Sequence, residues 1–453
     1  MTLKSVYLVL IFILGIPVPV PVAKADDLLT LYQQALQFDP NLKSAQLQVE
    51  MSEAQRSQAG GMLLPQINAN VNISGNNQNI ASHNPSQPGN PLTSNASLYN
   101  GQRYNVALTQ SIIDLPKVWN WKRYQNIVAQ YQSTNEEAAQ TLIHNVIARY
   151  FEALEARDSL SLIESEIAST QKQVTQMQRQ FEKQLVQITD VYELEAKLDL
   201  LLADQIAAKT QLDIALQGLT ELTGQPAKNL AELRSDISFK ELKGSIEEWV
   251  TQAEALSPGL SAQNKAIEAA DDNLWAQQSK HLPTVDMQLN YYHTNTGQPG
   301  YQNQTSEVDT EIAAVNITIP IFSGGTTSGA ALEASKNLEI NKQKRIALLR
   351  ALIKDTRDSF LSTNASVKRI SATEKALQTS TKARQAMEKG FQYGMQTISD
   401  VLVSEDREFK AKRDILQAKY AYIKNRARFE RATGLITEQF LQTVNQWLTV
   451  VKS

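Results

Sequence analysis

Two short segments hold the residues with the most chemistry to offer. In Phe181-Glu182-Lys183-Gln184-Leu185-Val186-Gln187-Ile188-Thr189-Asp190-Val191, an aspartate follows a phenylalanine by nine residues, with a hydroxyl residue just before it. Phe391-Gln392-Tyr393-Gly394-Met395-Gln396-Thr397-Ile398-Ser399-Asp400-Val401 repeats that spacing. A hydroxyl residue and Asp at a helix start read as an N-cap, and Asp190 has Glu193 three residues on, as in a capping box. The same carboxylates, gathered from several copies around a narrow opening, would attract cations and repel anions. One residue can serve in both ways. Catalysis has no comparable signal. His83, His144, His281 and His293 form no helical metal pair, cysteine is absent, and no nucleophile or phosphate-loop motif occurs. The expectation is no enzyme, no metal and no cofactor.

The elements that must position these segments come in duplicate. Pro40 precedes Pro65 by 25 residues, and Pro258 precedes Pro283 by 25. Asp190 precedes Gly224 by 34 residues, and Asp400 precedes Gly434 by 34. Each half reads as helix, Leu-Pro, alternating strand, polar loop, second strand and a long helical hairpin. The expected organisation is a first repeat over 26–224 with its hairpin at 117–222, and a second over 251–434 with its hairpin at 326–433. Residues 225–250 connect them, and 435–453 form a C-terminal equatorial segment.

Residues 1–25 read as a secretory signal peptide, with Lys4, an apolar stretch from Val6 to Ile16 and the small-x-small site Ala23-Lys24-Ala25. Its removal takes the formal net charge from −3 to −5. A mildly acidic chain without a basic stripe argues against nucleic acid as a partner. After Ala25 no apolar run approaches the roughly 18 residues of a spanning helix, so a membrane crossing would have to use strands.

Four segments alternate with period two: Gln66 to Ser74, Arg103 to Ser111, Thr284 to Tyr292 and Ala313 to Ile321. One face carries residues such as Ile67, Val71, Val106, Leu108, Leu289, Val315 and Ile317. The other is rich in Asn, Gln and Thr. That division suits lipid on one side and a water-filled interior on the other. Gly75 to Asn100 and His293 to Ser306 carry the glycines, prolines and asparagines of connecting loops. Two hairpins have open edges, which lipid does not tolerate, so other copies must close the barrel. Two copies would give eight strands, filled by side chains; three give twelve and leave a channel.

No glycine or proline occurs in the 101 residues from Lys117 to Gln217, the 60 from Ala330 to Lys389 or the 39 from Met395 to Thr433. A 60-residue helix runs for about 90 Å. Apolar residues recur along a narrow seam, as at Ile143, Ile147 and Phe151, which calls for coiled-coil packing. The fold class expected is an α+β membrane protein: four strands per chain in a trimeric 12-stranded barrel, continued by helical hairpins into a tunnel. The alternative is a structural periplasmic coiled-coil scaffold without channel activity.

The chain resembles the TolC family of outer-membrane efflux proteins. The likeness rests on Tyr32-Gln33-Gln34-Ala35, Leu63-Leu64-Pro65-Gln66, Leu108-Thr109-Gln110-Ser111-Ile112, Ile188-Thr189-Asp190-Val191, His281-Leu282-Pro283-Thr284 and Ile319-Pro320-Ile321-Phe322-Ser323-Gly324-Gly325. The resemblance implies a homotrimer in outer-membrane lipid of a Gram-negative bacterium. It also implies a periplasmic adaptor (membrane fusion) protein, an inner-membrane pump or ABC exporter, and a tunnel closed at its periplasmic tip until the partners engage. Carried over by position, Thr189 and Asp190 match gate residues, and Gln173 and Glu388 match an outer constraint. Asp400 matches a pore cation ring. Three positions depart from the pattern. Phe391 replaces the gate tyrosine, Gln396 replaces an arginine that would pair with Asp190, and Val403 stands where a second ring aspartate would be. The resemblance thus implies a gate held here by weaker, neutral contacts.

Overall fold

The computed structural model describes residues 27–81, 94–227, 229–297 and 305–449. The signal-peptide expectation, and the tips of both strand-to-strand loops, lie outside the described residues.

Each half opens with a helix pair hinged at a capped proline. In the first, α1 (Leu28–Phe38) and α2 (Pro40–Gly61) meet at Asp39, whose carboxylate accepts the Leu42 N–H at 2.6 Å. Between the long α-hairpins lie β3 (Glu232–Leu233), α5 (Ile246–Leu256) and α6 (Pro258–Gln278). Ser257 caps α6, and Pro258 fills its first turn, where a missing N–H costs nothing. A 3-10 turn, Ser279–His281, then leads into Leu282-Pro283, so His281 closes a helix end.

The strands are β1 (Gln66–Ala81), β2 (Ser94–Ile113), β4 (Thr284–Gly297) and β5 (Thr305–Thr318). They form one antiparallel sheet in the order β1-β2-β4-β5. The register places every apolar face on the same side: Ile67 lies opposite Leu108, Leu108 opposite Leu289, and Leu289 opposite Ala313. That side is bare. Ile73 is 71 % exposed and Val315 66 %, which no water-facing sheet of this size tolerates without cover. Both outer edges, β1 and β5, are unpaired among the described residues.

Two expectations need correction here. The stretches Gly75 to Asn100 and His293 to Ser306 are not loops throughout. Pairing continues through Asn76↔Tyr99 and Asn77↔Leu98, and through Asn295↔Glu307 and Gly297↔Thr305. Backbone ladders need no apolar side chains, so the strands run on where the apolar band stops. The last strand also ends at Thr318, not Ile321, because Pro320 has no N–H to donate.

The long helices are α3 (Leu115–Glu182, 68 residues) with α4 (Ile188–Thr223), and α7 (Thr326–Gln392, 67 residues) with α8 (Ile398–Ala432). At 1.5 Å per residue α3 and α7 each extend for about 100 Å. No described helix is long and apolar enough to cross a membrane. The main core forms where α1, mid-α3, the end of α4, the end of α8 and α9 (Glu438–Asn445) converge on Tyr150, Phe151, Leu219, Tyr420, Ile423 and Leu441. There β3 pairs with β6 (Leu448–Thr449) through Glu232↔Thr449, tying the connecting segment to the C-terminal one. A second, smaller core lies far along the hairpins, beneath the reversals.

Candidate functional site

Both hairpins reverse with the same backbone device. At the end of α3, Leu185 N–H donates to the Gln180 carbonyl at 2.9 Å and Gln184 N–H to Phe181 at 2.8 Å. At the end of α7, Met395 N–H reaches Gly390 at 2.8 Å and Gly394 N–H reaches Phe391 at 2.9 Å. This paired pattern needs a left-handed residue at its centre. Gly394 supplies it without strain at φ 72°, whereas Gln184 adopts φ 59° with a side chain attached.

The returning helices are capped one turn earlier than the sequence suggested. α4 starts at Ile188 and α8 at Ile398, so Gln187 and Thr397 are the N-caps. Asp190 and Asp400 are the third helical residues, folding back onto the caps, and Glu193 takes no part in the cap. Asp400 accepts the Thr397 N–H at 3.0 Å and its hydroxyl at 2.8 Å, while Thr397 Oγ1 accepts the Asp400 N–H at 3.2 Å. Asp190 accepts only the Gln187 N–H, at 3.2 Å, and Thr189 reaches Gln187 Oε1 at 3.4 Å. The backbone N–H and hydroxyl of Thr397 hold the Asp400 carboxyl below the usual carboxylate range.

Between the two reversals lies a cleft of about 810 Å³. Of the residues singled out from sequence, Gln173, Asp190, Glu388, Phe391 and Gln396 line it; Thr189 and Asp400 do not. Its floor is the second core: Val174 and Met177 from α3, Val191, Leu194 and Leu198 from α4, Ile398, Val401 and Leu402 from α8. Phe391 packs against this cluster, which gives the ring a role that needs no hydroxyl. Gln396 lies across Gly390, where a Cβ would stand 2.7 Å from Gln396 Cγ.

Sequence reasoning named Gln173 and Glu388 but missed the charged layer they join above this cleft. Gln173 does not pair with Glu388; its Nε2 donates to Glu405 Oε1 on α8 at 2.7 Å. Glu388 instead meets Arg384 at 2.8 Å, and Arg384 also bonds Glu408, which Lys412 approaches at 3.0 Å. Lys197 Nζ stands 2.8 Å from Asp406, 3.5 Å from Glu166 and 3.8 Å from Glu405. Burial pushes the carboxyls of Glu166 and Glu405 above their ordinary values. Burial also acts on Glu408, but Lys412 and Arg384 outweigh it and hold that group below its ordinary value. One signal was available. Glu166, Glu405 and Glu408 fall on the spacing of the apolar seams, as in Ile398, Val401, Glu405 and Glu408.

A sheet with one bare apolar face, joined to helices about 100 Å long, defines a class: outer-membrane channel proteins with a large periplasmic helical portion. The sequence model described as "Outer membrane efflux protein" matches residues 31–225 and 249–435, and the chain belongs to that family. Outer membrane protein TolC of Vibrio cholerae serotype O1 is 29% identical over 94% of this chain and 95% of its own length. Alkaline protease secretion protein AprF of Pseudomonas aeruginosa is 25% identical, covering 92% and 86%. The fold is shared with crystal structures of CusC (TM-score 0.77, 18% identity, 90% of this chain and 92% of that one). It is shared equally with the CmeC outer membrane channel of Campylobacter jejuni (TM-score 0.77, 15% identity, 94% and 90%).

Proposed function

We propose that three copies of this chain form a continuous export duct, a twelve-stranded barrel running into a helical tunnel whose far end is gated at the paired reversals. One observation carries the reading: a four-stranded sheet with a bare apolar face and, among the described residues, two unpaired edges. Open edges in hydrocarbon leave backbone N–H and C=O groups unsatisfied at several kcal/mol each, so β1 of one copy must meet β5 of the next. The expected organisation follows from duplication: repeats over 26–224 and 251–434, with 225–250 and 435–453 forming a belt around the tunnel. The capped-proline helix pairs and the matching reversals support it.

In this reading Gln173, Thr189, Asp190, Glu388, Phe391, Gln396 and Asp400 belong to the gate, and Asp400 from three chains forms a cation ring. The closed tip rests on apolar contacts and neutral hydrogen bonds in place of a Gln396-centred salt bridge. Small molecules, proteins or both are the cargo, delivered by an inner-membrane pump or ABC exporter through a periplasmic adaptor. The protease-secretion relative from Pseudomonas aeruginosa favours including proteins. Purified protein in detergent should have the mass of three chains and conduct ions in a planar bilayer. A stable monomer, or release from membranes by salt washing without channel activity, would support the coiled-coil scaffold instead. Deleting the gene and following both drug susceptibility and secreted proteins identifies the cargo.

A further inference from the structure

We propose that Lys197 is a latch: one buried cation that joins the first helical hairpin to the second above the tip cleft, and whose withdrawal lets the hairpins part. This rests on the duct reading above and adds a closure element outside the tip residues. Lys197 sits nine residues into α4, about 14 Å from the reversal. Its side chain is only 11% exposed, and it is shared between Glu166 of its own hairpin and Glu405 and Asp406 of the other. The ammonium nitrogen is itself buried, and its nearest oxygen belongs to Asp406 of the other hairpin, at 2.8 Å. The Gln173 amide adds one hydrogen bond, to the Glu405 carboxyl, across the same seam. Removing the Lys197 cation leaves the buried Glu166 and Glu405 facing each other in a poorly hydrated seam, with Asp406 at its exposed rim. That is far more disruptive than losing a surface pair.

The latch is proton-linked, with a definite sign. The charged groups facing it are Glu166 on α3, Arg384 and Glu388 on α7, and Glu405, Asp406 and Arg413 on α8. Burial raises Glu166 and Glu405 above the ordinary carboxylate value of 4.5 while Lys197 pulls them back. A carboxyl raised in the joined state binds its proton more tightly there than when the hairpins part and water enters. Acid therefore favours joining. That advantage is complete below the ordinary value and is lost as pH rises through the raised one. Without Lys197 both values rise further, so the window extends upward.

The test is single-channel conductance of the purified full-length protein at about pH 8 and about pH 5. Lys197→Met should conduct several-fold more than wild type at the higher pH and return toward wild type at the lower. Adding Glu166→Gln and Glu405→Gln to Lys197→Met should bring conductance back down toward wild type at the higher pH and remove the pH response, which repair of mere packing damage would not do. Glu405→Gln alone, with Lys197 intact, gives an independent reading: conductance below wild type at the higher pH and a flattened pH response. Lys197→Met that matches wild type at both pH values, a triple variant that stays open, or an unaltered Glu405→Gln response each overturns the latch while leaving the duct in place. Wild-type protein that does not conduct overturns the duct itself, and the latch with it.

Discussion

The first reversal is built less well than the second, although their backbones trace the same path. Gln184 bears a left-handed conformation that Gly394 adopts freely, and Asp190 accepts one bond, from the Gln187 N–H at 3.2 Å, where Thr397 and Asp400 exchange three. Both rest on one core in which Leu194 is fully buried. The weaker reversal therefore depends more on the shared core than on its own turn. If one of the two reversals loosens before the other, local stability points to the first.

This contrast can be broken from the core outward, with hydrogen exchange of the tip amides as the common measurement. The largest effect is predicted for Leu194→Ala, which removes a buried side chain common to both reversals. A loss of about 3 kcal/mol, near a hundredfold faster exchange, should appear at both tips. Acceleration confined to the first tip would show that the core is not shared. Gly394→Gln gives the second turn the residue type of the first and should cost about 1–2 kcal/mol there. If exchange at the second tip is unchanged, left-handed strain does not distinguish the turns. Thr397→Ala removes the better cap and should cost about 1 kcal/mol, felt in the first turn of α8 alone. The reverse exchange, Gln184→Gly, should stabilise the first tip by about 0.5 kcal/mol, because glycine's greater freedom in the open state offsets part of the relief. Any destabilisation there would contradict the strain reading.

The smallest expected effect is electrostatic. Asp400 is held below its ordinary value by the Thr397 N–H and hydroxyl, so the contribution of its charge is present above the ordinary carboxylate value of 3.8. It fades as pH falls through the depressed one. Exchange in the first turn of α8, corrected for the intrinsic rate, should quicken only at strongly acid pH. Quickening already near neutrality would assign the cap to another group.

Much of this was readable from sequence, and the failures have physical causes. Period-two alternation revealed the four strands because lipid-facing and water-facing residues must differ. It did not reveal how far they continue, since Asn76 and Asn77 look the same in a polar strand and in a loop. The reversals were found from Phe181…Asp190 and Phe391…Asp400, but the caps were misplaced by one turn: Gln187 does not announce an N-cap, and Ser399-Asp400 offered a hydroxyl-Asp pair that drew attention from Thr397. Lys197, Glu166 and Glu405 were passed over because a charged residue on a helix is ordinarily a solvated one. Only the folded arrangement shows that α8 closes over them.

The seam at the middle of the sheet has a consequence in time. Gly101 pairs with Thr296, and Ser111 with Asp286, so β2 finds its inner neighbour only after the whole of the first hairpin and the connecting helices have been made. Contacts this distant along the chain form slowly, while the helices between them rely on local bonds and form fast. The helical rods should therefore exist before the sheet does. Until β4 arrives, the first strand pair stands as a two-stranded ribbon, apolar on one face and without its inner neighbour.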